Sequence, residues 1–240
     1  LSLTSCNDLL DRMPDNRLVI DSPEKVQQAL TNAYPQIATT LINEFSSDNI
    51  DDIGADNIYS NFLTRETAYW QPILEYNNVD GLQNIWDYHY KAIGQANAAL
   101  DAIETTLHND ASLNPAKGEA LVARAYAHFC LVNLFSQAYN PNTSSSDLGI
   151  PYITRPEEEM NPQRQRGTVA QVYQQIAADL EKGLPLIDDS YYQMPKYHFN
   201  KKAAYAFAAR FYLYYQQWQK ALDAANVVLT TNDATTKNLV

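Results

Sequence analysis

Ala120-x-x-Ala123-Arg124-x-Tyr126 recurs as Ala206-x-x-Ala209-Arg210-x-Tyr212, 86 residues further along a chain of 240. Alanines three residues apart lie on one face of a helix and let a second helix axis come close. The tyrosine that follows can fill the space towards a neighbouring pair. This is the packing logic of tetratricopeptide-like repeats, in which a helix pair cannot bury its apolar face alone and stacks on the next. The spacing exceeds the usual repeat of about 34 residues, so the array is expected to carry insertions. The repeat predicts an all-α fold of tetratricopeptide-like helix pairs, α-solenoid-like, with long irregular insertions. Two unrelated Ala-rich helices are the alternative reading of the same residues.

Six helical segments fit that frame. Ser22-Pro23 caps and opens the first, with Val26, Ala29, Leu30 and Ala33 on one face and Pro35 as its break. The second starts at Asp80, with Gln83 as a capping-box variant. Its apolar stripe runs through Leu82, Ile85, Trp86, Tyr90, Ile93, Ala96, Leu100 and Ile103. Asn114-Pro115 opens the third, which runs to about Ala138. Thr168 and Gln171 cap the fourth, Asn200 caps the fifth through about Gln216, and the sixth covers about Trp218 to Leu229. The second and third segments, and the fourth and fifth, are expected to form the two antiparallel pairs. No stretch alternates with period two for long enough to read as a strand.

Composition narrows the function. The net charge is −11, which disfavours nucleic acid, because phosphate binding needs a basic face. Glycine is 7 of 240 residues, against about 7% in an average chain, which argues against phosphate loops and turn-rich β-sandwiches. No apolar run approaches the roughly 20 residues that span a bilayer. Two cysteines, Cys6 and Cys130, cannot build a disulfide framework. Tyrosine is abundant at 17, and its flat apolar ring with one polar tip suits helix packing and sugar contacts alike.

Leu3-Thr4-Ser5-Cys6 resembles the end of a bacterial lipoprotein signal, with cleavage before Cys6 and lipid on its thiol. An ordinary cysteine near a chain end is the alternative. On the first reading, residues 1–21 are a lipoprotein leader and tether. One acyl chain anchors only marginally, so a protein partner is expected as a second anchor.

Two connections are long, and connections beyond about 12–15 residues in a compact domain are usually functional or disordered. Residues 140–167 carry Pro141, Pro151, Pro156 and Pro162. Residues 46–79 carry Asp48, Asp51, Asp52 and Asp56 among aromatics and amides. Sugars lay apolar C–H faces on aromatic rings and exchange hydrogen bonds with amides and charged groups. Arg65, Tyr69, Trp70, Tyr76, Asn77 and Asn78 form such a set and are the candidate ligand-binding residues. Trp70 either lies at the surface for a sugar or plugs the core beneath the loop. Trp86 and Trp218 fall on apolar stripes and read as core. Arg124 and Arg210 read as structural, through an ion pair or carbonyl contacts.

Catalysis is not indicated. Asp51-Asp52 and Glu157-Glu158-Glu159 are adjacent carboxylates, more in keeping with solvated charge than with a spaced acid and nucleophile. His89, His108, His128 and His198 lack metal-ligand spacing. Asn49-x-Asp51-x-Ile53-Gly54 is half a calcium loop without its closing ligands. Cys130, between Phe129 and Leu131, reads as an inert core thiol. No metal and no cofactor are expected.

Several ordered pieces together resemble the SusD-like (RagB/SusD) outer-membrane nutrient-binding lipoproteins. They are Cys6-Asn7-Asp8-Leu9-Leu10-Asp11, Ala29-Leu30-Thr31-Asn32-Ala33-Tyr34 and Trp86-x3-Tyr90-x2-Ile93-x2-Ala96-Asn97. Gly118-Glu119-Ala120-x2-Ala123-Arg124, Leu148-Gly149-Ile150-Pro151, Val172-Tyr173-x2-Ile176-x2-Asp179-Leu180 and Asn200-Lys201-x-Ala203-Ala204 follow. The resemblance implies a scaffold of tetratricopeptide-like pairs with an irregular ligand face. It also implies a lipid-anchored position on the outer face of the outer membrane. There a SusC-like TonB-dependent transporter would receive oligosaccharides, or in some members peptides, from it. Family members are considerably longer, so residues 22–240 are expected to be a SusD-like N-terminal helical domain, truncated relative to the full protein. The competing reading is a helical-repeat protein–protein scaffold with no small-molecule site; an aromatic–amide cluster in residues 46–79 is what a scaffold does not need.

Overall fold

A computed structural model describes residues 19–51, 54, 62–73, 78–156 and 164–230. These residues are all-α, with eight helices and no strand among them. α1 spans Pro23–Thr31, α2 Thr40–Phe45, α3 Phe62–Ala68 and α4 Leu82–Thr105. α5 spans Asn114–Phe135, α6 Val169–Gly183, α7 Lys201–Tyr214 and α8 Trp218–Thr230.

Local capping chemistry sets three of the helix starts. The Ser22 hydroxyl accepts from Lys25 N ahead of Pro23 in α1. Thr168 and Gln171 close a reciprocal capping box at α6, with bonds of 3.2 and 2.9 Å. Asn200 Oδ1 accepts from Ala203 N at 2.8 Å to start α7. The second predicted start is corrected: α4 begins at Leu82 with Gly81 as a cap that makes no side-chain bond. Asp80 N is already engaged by Asn78 Oδ1 in a turn, and Gln83 reaches forward to Asp87 instead of back. α5 ends at Phe135, short of Ala138, because the chain turns extended at Ser136.

α5 is the central helix. It is buried on almost every side, with Ala116, Ala120, Val122, Ala123, Ala125, Ala127, Phe129, Leu131 and Val132 in the main core. α4 lies along one flank and α6 along another. The crossing of α5 and α6 is tight where Gly118 meets Gly183: a Cβ on Gly118 would stand 2.9 Å from the Gly183 carbonyl oxygen. The predicted pairing of the fourth and fifth helices is corrected. α6 packs chiefly on α5 and α7 on α8. α6 and α7 meet across rings, with Tyr173 stacked on Phe211 at 5.7 Å between centroids. The two motif copies therefore occupy unlike places: Ala120 and Ala123 are buried, whereas Ala206 is exposed and Ala209 half-buried.

Tyr34 ties α1 to this frame. Its hydroxyl donates to the buried Glu119 carboxylate of α5 and accepts from Phe199 N at 2.7 Å. Within residues 140–167, the segment around 148–155 runs extended beside α4, opened by a single bridge between Leu148 and Thr168. The expectation that residues 46–79 are wholly irregular is corrected by α3. It sits with α2 over a small second core of Ile37, Ile42, Leu63 and Ile85. That core joins both short helices to the start of α4.

Candidate functional site

α3 exposes one side and buries the other. Leu63, Thr64, Glu66 and Thr67 face inward, while Phe62 and Arg65 face outward. The Arg65 guanidinium lies 5.5 Å from the Phe62 ring centroid. The helix ends in a Schellman motif: Gln71 N donates to Glu66 O at 2.8 Å and Trp70 N to Thr67 O at 3.1 Å. That motif needs a left-handed residue, usually glycine, at the position Trp70 occupies, and Trp70 has φ of 53°. Its side chain is 79% exposed and that of Tyr69 56%. Trp70 therefore lies at the surface, and the core-plug reading is overturned.

A surface groove opens between the turn after α2 and the end of α3. Phe45, Asp48, Asp51, Arg65, Tyr69 and Trp70 line it. Among the described residues, three aromatic rings, two carboxylates and a guanidinium thus border one concavity, which suits a ligand with an apolar face and a rim of hydroxyls. Of the predicted set, Arg65, Tyr69 and Trp70 are brought together. Asn78 is not in the groove; its Oδ1 accepts from Asp80 N at 3.0 Å and its carbonyl from Asn84 Nδ2 at 2.9 Å, which shapes the approach to α4. Tyr76, Asn77 and Cys6 lie outside the described residues, as do Asp52, Glu157, Glu158 and Glu159. Sequence reading missed Phe45 as a wall and saw Asp48 and Asp51 only as charge. The Leu41, Ile42, Phe45 spacing is the one local signal of α2, which carries Phe45; Asp48 and Asp51 follow it in the chain.

Elsewhere the tryptophans divide. Trp86 is half-buried, 4.9 Å from Tyr90 and 5.0 Å from Phe135 between ring centroids. Trp218 was expected in the core and is 62% exposed, because α8 buries Ala221 and Ala224 instead. Burial pushes the Cys130 thiol up to about 11, which disfavours the nucleophilic thiolate at neutral pH. Among the described residues no group of three or more His, Cys, Asp or Glu side chains could hold a metal ion. No helix among them is long and apolar enough to cross a membrane.

A SusD-like family model described as "Starch-binding associating with outer membrane" matches residues 8–213. Solved structures are similar in fold. A SusD superfamily protein from Bacteroides thetaiotaomicron aligns with a TM-score of 0.67 and 26% identity, over 90% of this chain and 47% of that one. Another from Bacteroides fragilis gives 0.68 and 22%, over 88% of this chain and 50% of its own. A laminarin-binding SusD-like protein gives 0.64 and 19%, over 88% and 44%. The chain spans about half the length of these structures. No curated protein matches it in sequence.

Proposed function

This chain belongs to the SusD-like family, and on that premise we propose that it is the N-terminal helical part of a surface lipoprotein that binds glycans. In this reading it passes them to a SusC-like TonB-dependent transporter in the outer membrane. Residues 1–21 serve as leader and tether with lipid on Cys6, and residues 22–240 form the helical domain. The chain acts as a binding subunit and not as an enzyme.

One observation carries the reading: a tryptophan is held outward at the left-handed end of α3, beside Tyr69 and above a groove bordered by Asp48, Asp51 and Arg65. An aromatic ring that stays in water contributes little to the fold, and it offers a flat face to a pyranose. The carboxylates accept from sugar hydroxyls while Arg65 donates to them. The family description as starch-binding and the laminarin-binding neighbour point to the same ligand class.

Calorimetric titration of the full-length protein against neutral oligosaccharides, maltohexaose and laminarihexaose among them, tests it. Binding by at least one glycan is expected, with a several-fold loss in Trp70→Ala at unchanged Tm. A folded full-length protein that binds no glycan would overturn the reading.

A further inference from the structure

A second groove lies between α4 and the extended segment that follows Gly149, lined by Trp86, Asp87, Tyr90, Lys91, Arg155 and Arg164. From it we infer a subsite for an acidic saccharide, a pyranose carrying a carboxylate. This deepens the glycan-binding reading and rests on it.

The wall that carries Arg155 is fixed in place. Tyr90 OH donates to Pro151 O at 2.8 Å, and Ile153 N donates to His128 Nε2 at 3.0 Å. Arg124 Nη1 donates to Thr154 O at 3.1 Å. Asn97 Nδ2 reaches both Ile153 O and Arg155 O, at 3.1 and 3.3 Å. Four side chains from two helices thus hold an otherwise irregular backbone, and the Arg155 side chain is left in solvent. A fixed backbone reduces the ordering that a ligand must impose when it binds.

The charge at this groove runs against the chain. The protein carries −11 overall, yet among the described residues that line this groove three cations stand against one carboxylate. That carboxylate, Asp87, already accepts from Gln83 Nε2 on both oxygens at 3.0 Å. Several other basic side chains have partners within the chain: Arg124 pairs with Asp179, Lys220 with Glu181, and Arg166 donates to the Gly149 carbonyl. Among the described residues, Lys91, Arg155 and Arg164 form no ion pair, and the Lys91 ammonium lies 4.5 Å from the Tyr88 ring centroid. Cations left unpaired beside a groove are available to an anion.

The aromatic side of the groove selects the kind of anion. Trp86 and Tyr90 supply an apolar wall against which a sugar ring can lie. Gly94 leaves the α4 backbone bare there: a Cβ placed on it would meet nothing within 4 Å. A guanidinium binds a carboxylate through two parallel hydrogen bonds. A uronic acid unit offers both features at once, an apolar ring face and a carboxylate at its edge.

Titration of the full-length protein with trigalacturonate and with its neutral methyl ester tests the inference. Trigalacturonate is expected to bind more tightly than the ester, and the difference should shrink in high salt. Arg155→Gln with Arg164→Gln should weaken trigalacturonate by about tenfold or more, as loss of charged hydrogen bonds predicts, and leave the ester unchanged. Both arginines are exposed, so the double variant should keep its Tm; Lys91→Gln gives an independent second reading. Equal binding of acid and ester would overturn the inference. So would trigalacturonate binding that survives the arginine variants but is lost in Trp70→Ala, although the glycan-binding reading would then stand. Binding of no saccharide, acidic or neutral, would overturn both.

Discussion

Arg124 on α5 and Asp179 on α6 meet fork to fork, Nε to Oδ2 and Nη2 to Oδ1 both at 2.7 Å, with side chains only 8% and 7% exposed. Tyr152 OH adds a third bond to Asp179 Oδ2 at 2.6 Å, and Arg124 Nη1 reaches Asn97 Oδ1 at 2.9 Å. Charge, amide and phenol thus bind one another across three helices and a loop. Arg210, at the matching place in the second motif copy, has no such partner among the described residues. It is exposed and lies 5.9 and 5.8 Å from the Phe129 and Tyr214 ring centroids.

The two arginines should therefore differ sharply on truncation. Asp179→Asn leaves a buried guanidinium without its counter-charge and should cost about 3–5 kcal/mol. Arg210→Ala removes an exposed cation–π contact and should cost about 0.5–1 kcal/mol. Urea unfolding of both variants decides; similar losses would contradict the difference in environment.

Acid should destabilise the protein through His128. Its Nδ1 donates to Arg124 O at 2.8 Å and its Nε2 accepts from Ile153 N at 3.0 Å, so the ring is neutral in the fold. Burial, aided by the nearby Arg124 charge, lowers its pKa from the usual 6.5 to about 3. The unfolded chain binds a proton on this ring at a higher pH than the folded one. Its contribution is therefore intact above about pH 6.5 and is lost as pH falls towards about 3. His128→Gln should flatten the pH dependence of unfolding within that window by up to about 1.4 kcal/mol per pH unit. Burial lowers His89 in the same direction, so the variant keeps a residual slope.

Two glycines inside helices should respond oppositely to alanine. At Gly118 a Cβ would stand 2.9 Å from Gly183 O and from Leu186 Cβ, so Gly118→Ala should destabilise by about 1–3 kcal/mol through overpacking. At Gly94 a Cβ would meet nothing within 4 Å, so Gly94→Ala should stabilise by about 0.5–1 kcal/mol through helix propensity alone. Thermal melts of the pair test whether α5 and α6 cross as closely as described.

The features legible in the sequence were those set within a few residues. The caps at Ser22, Thr168 and Asn200 depend on a side chain three residues from its partner, and the structure has all three bonds. α2 and α3 were missed because six and seven residues give no readable period; Leu63 packing on Ile37, Ile42 and Ile85 holds them. Trp218 was misplaced for a related reason. Periodicity finds an apolar stripe, but α8 turns towards α7 the face whose small Ala221 and Ala224 allow close approach. Trp70 stood out by lying off every stripe, whereas its neighbours Asp48 and Asp51 reach it only through the fold. Lys91 and Arg155 face one groove from distant parts of the chain, with no local pattern to announce them.

Trp70 should show a conflict between stability and binding. A bulky residue in the left-handed region carries a cost of roughly 1–2 kcal/mol that glycine avoids. The Trp70 side chain recovers little of this by burial, being 79% exposed. Trp70→Gly should thus raise stability by up to about 1 kcal/mol, or roughly 2–4 °C in Tm, with the Schellman bonds to Glu66 and Thr67 retained. The same change removes the ring and should weaken glycan binding several-fold. Trp70→Ala separates the two effects, because it loses the ring but keeps a Cβ at φ of 53°. It should match the glycine variant in affinity and fall below it in Tm. A glycine variant that melts lower than the parent would mean that the ring supports the fold, and Trp70 would then leave the proposed site.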